Sequence, residues 1–200
     1  MRALALVLAL LSVPVLAQPF APETMRITGT VEAADANSFT VRALEGGGTH
    51  RVYLTPAAKV FGVSATTLAE IKPGAFIGVG ATPNADGSQR AIRVTVFAES
   101  QRGLGEGFRP WDRAPHGTMT NATVAETVAG VDGQVLTVTY KGGAKRIVVP
   151  PDARILAYSV GDRSELKVGA QVAILRARRK LDGTWETDRV NVGRGGVIPD

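Results

Sequence analysis

The sequence predicts an all-β protein built of two tandem small barrels, and three observations predict it. Glycine is frequent, at 23 of 200 residues, and aromatics are sparse, at 6%. That composition favours many short strands with tight turns over long helices. Stretches that alternate apolar and polar residues recur along the chain, with the period of half-buried strands. The order of stretches and turns occurs twice, at a spacing of 95 to 96 residues, as an internal duplication requires.

Residues 1–17, MRALALVLALLSVPVLA, read as a secretory signal peptide cleaved after Ala17. They hold one basic residue, an apolar run and the small-residue site Val15-Leu16-Ala17. The run is shorter than the roughly 20 residues a membrane helix needs, and Pro14 interrupts it. No later stretch is apolar enough to cross a membrane as a helix. The mature chain is therefore expected to be periplasmic or secreted and not membrane-spanning. It has no cysteine, which excludes disulfides, thiolate metal sites and a lipidated cysteine. The formal charge of +5 becomes +4 without Arg2, which is compatible with an anionic partner.

The first module is expected over 25–98. Ile27 to Val31 starts a strand, Asp35-Ala36-Asn37 turns it, and Ser38 to Arg42 alternates as the second strand. Gly46, Gly47 and Gly48 supply a hairpin loop. His50 to Leu54 returns as the third strand; Pro56 stops it and Lys59-Val60-Phe61 resumes. Thr67 with Glu70 reads as the capping box of a short helix, ended by Pro73-Gly74. Phe76 to Gly80 is the fourth strand, Asn84 to Gly87 a turn, and Gln89 to Phe97 the fifth.

The second module, expected over 121–193 and followed by a tail at 194–200, repeats this order. Pro151 to Ile155 matches Pro56 to Val60, and Leu166-Lys167-Val168-Gly169-Ala170 matches Ile71-Lys72-Pro73-Gly74-Ala75. Arg189-Val190 matches Arg93-Val94. Five strands with a helical turn between the third and fourth are the layout of an OB-like barrel. Each copy, near 70 residues, is small for an independent core, so the two are expected to pack together.

These matched pieces, with Gly29-Thr30-Val31, Asp86-Gly87 and Asp182-Gly183, resemble a family of small bacterial cell-envelope β-barrel modules of unknown function. The resemblance covers about two-thirds of the chain. The stretch from Gly105 to Asp112, with Met119 to Val124, is similar to exported proteobacterial proteins that often carry the label of a metal transporter permease. A permease needs several membrane spans, and this sequence offers none after residue 17. The resemblance thus implies a barrel fold and export, and leaves activity open.

The connector, 99–120, is the part that does not repeat. Gly103, Gly105, Gly107, Pro110 and Pro115 disfavour a regular element there. Phe108 and Trp111 are expected to dock between the modules, with Arg109 and Asp112 satisfying backbone groups beside them. Arg109, Trp111 and Asp112 form one candidate binding set. Arg176, Arg178 and Arg179, with Trp185 across the last hairpin, form a second. Basic grooves with aromatic platforms suit anionic chains on such barrels.

Catalysis lacks its parts: there is no cysteine nucleophile and no Gly-x-Ser-x-Gly elbow. The two histidines, His50 and His116, have no ligand-spaced partner, so neither a metal nor a cofactor is expected. The expected function is a non-catalytic envelope binding or scaffolding protein. Its partner would be an envelope protein or anionic polymer, not nucleic acid. The alternative is a periplasmic accessory protein that binds a small ligand or metal for a transport system, and a hydrolase ranks last.

Overall fold

Alternation in the sequence becomes alternation of burial. In strand β1 (Thr24–Ala34) Ile27, Gly29 and Val31 are buried, while Thr28 and Thr30 between them are not. β2 (Ser38–Ala43), β3 (Thr49–Ala65), β4 (Phe76–Pro83) and β5 (Gln89–Val96) follow; β4 departs from alternation, being buried on both faces from Phe76 to Ala81. After the connector strand β6 (Gly107–Pro110) come β7 (Thr118–Gly130), β8 (Gly133–Tyr140) and β9 (Gly143–Val149). The chain ends with β10 (Arg154–Val160), β11 (Gln171–Arg179) and β12 (Trp185–Gly193). This computed structural model describes residues 23–130 and 133–199; the expected signal peptide lies outside them. No helix among the described residues is long and apolar enough to cross a membrane.

Five strands close into a barrel: β1, β2, β3, β12 and β11, with β12 parallel to β3 and the other pairs antiparallel. A second ring of pairings runs β4, β7, β8, β9 and back to β5. It is closed by two parallel residue pairs, Gln89–Ile147 and Arg90–Val148. The expected arrangement, one barrel from each half, is not the one seen. The barrel takes three strands from residues 24–65 and two from 171–193. The cores follow the same division. One joins Ile27, Phe39 and Val52 to Ile174, Trp185 and Val190. The other joins Ile77, Val79 and Val94 to Val124, Leu136 and Ile147.

The cause lies in β3. Pro56 was expected to stop this strand, yet β3 continues for 17 residues. Pro56 falls within a bulge: Leu54 pairs with Thr187 and the next pair is Lys59 with Arg189. Between them the ladder is broken, so the missing proline N–H costs nothing. Two Arg163 bonds, at 3.1 Å each, hold the Thr55 and Pro56 carbonyls. The strand then runs on beside β10 (Phe61–Val160 to Ala65–Leu156) and delivers the chain to the second ring before Pro73-Gly74 turns it.

Two smaller expectations also change. The helix after Thr67 is a single 3-10 turn, Leu68–Glu70, and the Thr67 side chain makes no capping bond. The connector does contain regular structure. Residues Glu99–Gln101 form a 3-10 turn, and β6 pairs with β7.

Where β3 crosses between the rings, Arg194 packs flat on Gly62; a Cβ there would lie 2.0 Å from its guanidinium carbon. Arg194 grips Glu165 through two bonds of 2.8 and 2.7 Å. This pairing holds the Glu165 carboxyl below its usual value, chiefly through the Arg194 hydrogen bond. A lowered carboxyl contributes stability above its unfolded value, near 4.5, and loses it as pH falls through the folded value. Glu165→Gln is therefore expected to cost on the order of 1 kcal/mol at pH 7. The gap to wild type should begin to narrow as pH falls below about 4.5 and close on passing the lowered folded value, in parallel urea melts. A gap that does not narrow at all on acidification contradicts the assignment.

Candidate functional site: an arginine-lined cleft under the connector

The connector lies over the seam between the two rings. Trp111 can enter there because β4 presents no side chain at Gly80, where a Cβ would meet the indole at 2.6 Å. The Arg93 guanidinium sits over the same indole at 5.5 Å. The Trp111 backbone N–H donates to the Gly117 carbonyl at 2.8 Å. Arg109 donates to the Gly105 carbonyl at 2.7 Å, and Asn121 Nδ2 to the Leu104 carbonyl at 2.8 Å. Arg102 is held by Glu99 and by the Gly74 carbonyl.

These contacts roof a cleft of about 290 Å³. Arg26, Arg93, Arg109 and Arg189 line it against one carboxylate, Asp112. Phe97, Trp111 and Tyr158 supply its aromatic walls. A neighbouring hollow of about 660 Å³ shares Leu104, Gly105 and Arg189 with it and adds Lys59 and Gln101.

Arg189 stands at the junction. Its guanidinium lies 4.7 Å from the Phe61 ring centre and 5.8 Å from that of Tyr158. Its Nε donates to Asn191 Oδ1 at 3.4 Å. No carboxylate among the described residues forms an ion pair with it. Burial pulls this guanidinium below its ordinary value, with Tyr158 and Asp188 opposing. On the neighbouring strand Lys59 is in register with Arg189, exposed where Arg189 is half-buried. Gln101 adds an unsatisfied donor: its Oε1 accepts from the Ala98 N–H at 3.1 Å, which leaves the buried Nε2 without an acceptor. A half-buried cation without an ion pair, with Lys59 in the lining of the same hollow, suits anionic oxygen.

Of the residues expected from sequence, Arg109, Trp111 and Asp112 meet at this cleft. Phe108 does not dock between the rings: it is 41% exposed, with the Lys145 ammonium 4.4 Å over its ring. The second candidate set lies elsewhere. Trp185 belongs to the barrel core. Arg178 pairs with Glu186 at 3.3 Å and Arg179 with Glu23 at 2.8 Å, while Arg176 is exposed on β11. The histidines are remote from the cleft lining: His50 stands edge-on to Trp185 at 6.3 Å, and His116 is in an exposed turn with φ of 53°. Sequence reasoning missed Arg93 and Arg189 as site residues. The available signal was the matched Arg93-Val94 and Arg189-Val190, which puts an arginine at one strand position in both halves.

The chain matched no family model, no curated protein and no solved structure.

Proposed function

We propose that the protein is a non-catalytic binding protein of the cell envelope whose cleft receives an anionic group of its ligand. Arg189 carries this reading. It is a partly desolvated guanidinium on two aromatic rings, with no ion pair among the described residues. A bound anion would offset that desolvation. The signal-like leader supports export, where acidic polymers and lipid headgroups are at hand. Trp111 lines the cleft and should report binding through its fluorescence. Titration with galacturonate is expected to give a saturable change that weakens as salt is raised and that neutral galactose does not produce. Arg189→Ala should weaken binding at least tenfold, and Trp111→Phe should remove most of the signal. Undiminished binding by Arg189→Ala contradicts the site.

The fold itself reads as a duplicated OB-type unit whose copies have exchanged their last two strands. Each ring has the parallel closure of third and fifth strands, β3 with β12 and β9 with β5. Matching positions also meet at the seam. Val63 faces Tyr158, 95 positions later, and the pairs Phe61–Val160 and Ala65–Leu156 mirror each other around it. Arg93 faces Arg154 as Arg189 faces Lys59.

A further inference from the structure

Resting on that binding reading, we propose that the occupant is an extended acidic oligosaccharide, with a carboxylate on successive sugars, and not a single small anion. Three neighbouring hollows share lining residues in series. The 660 Å³ hollow, which shares Arg189 with the cleft, also shares Lys59, Phe61 and Ser100 with a third hollow of about 440 Å³ beside Val160 and Asp162. A small ion would fill only a fraction of a space in the size range of whole ligand sites, about 300–1,000 Å³.

The charge along these hollows is interrupted rather than uniform. Arg109 and Arg189 serve the inner end and Lys59 the middle, with Asp112 and Asp188 in the same lining. A chain with one charge on every small unit would meet those carboxylates. An acidic sugar chain places hydroxyl donors between its carboxylates, so it can answer aspartates and cations in turn. Single-stranded nucleic acid binds through free aromatic faces. Here Trp111 lies between Arg93 and Gly80, and Arg189 sits over Phe61 and Tyr158. Little stacking surface is left for bases.

The test is calorimetric titration of the chain from Gln18 with oligogalacturonates of one, two, four and six sugars, alongside inorganic phosphate and a hexameric oligothymidylate. Affinity is expected to rise at least tenfold from monomer to tetramer. Lys59→Ala should cost the tetramer more than the monomer, and Arg189→Ala should weaken all lengths. Lys59 is exposed, so a melt matching wild type will show that the variant is folded. Equal affinity at every length overturns the extended occupant while leaving an anion cleft in place. Oligothymidylate binding more tightly than the hexasaccharide overturns the sugar assignment. Failure of every anion to bind overturns the cleft itself.

Discussion

Produced as two separate pieces, residues 18–103 and 104–200 are each expected to lack a folded monomer, and to recover the native spectrum when mixed. The reason is where each piece finds its partners. In the first piece β1 loses its ladder with β11, which runs from Thr24–Arg178 to Thr30–Gln171. Its β3 loses β12 from Val52 to Val63. The core around Ile27, Phe39 and Val52 loses Val172, Ile174, Trp185, Val190 and Val192. Large-to-small truncation of one such side chain costs about 2–5 kcal/mol, against a whole-domain stability of about 5–15 kcal/mol. Losing five at once leaves no cooperative barrel, and it exposes two unpaired strand edges. The cut falls in an exposed Gly103 turn, so the strands themselves are spared. Circular dichroism melts and amide spectra of each piece, alone and mixed, decide the matter. A cooperative melt from either piece as a monomer would mean that each half can close on itself.

That experiment also bears on what the sequence could and could not convey. Strand positions were legible because alternation is local: β2, β5 and β8 fall where period-two patterning and glycine turns place them. Partner choice was not legible. β11 and β4 each follow a matched aliphatic-Lys-x-Gly-Ala piece, so β1 has no local means of telling one from the other. What tips the choice is the length of β3, hidden by a proline that reads as a stop but sits in a bulge. The site divides in the same way. Arg109, Trp111 and Asp112 stood out because aromatic and charged residues are conspicuous in a glycine-rich connector. Arg93 and Arg189 did not, since an arginine on an alternating strand reads as a solvated face. The basic run at 176–179 reads differently once the strands are paired. Glu23 and Glu186, which pair with Arg179 and Arg178, are not apparent as partners until the strands are paired.

Arg189→Met is expected to raise the melting temperature while abolishing anion binding. In the free protein this guanidinium is partly desolvated and has no ion pair among the described residues. Its contacts with Phe61 and Tyr158 return part of that cost, since a cation over a ring is worth about 0.5–2 kcal/mol. A methionine keeps much of the apolar reach onto both rings and removes the desolvated charge. The net gain should be on the order of 1 kcal/mol, or about 2–4 °C for a chain of this size. Arg178→Met is the informative control: its charge is already paired with Glu186 at 3.3 Å, so its removal should stabilise nothing and leave binding intact. If Arg189→Met instead melts lower than wild type, the guanidinium is a structural brace between Phe61 and Tyr158. If it melts higher and still binds galacturonate, the charge is a burden that the ligand does not use. Only the combination of higher stability and lost binding fits a cation held at a cost to the fold for the sake of an anion that arrives later.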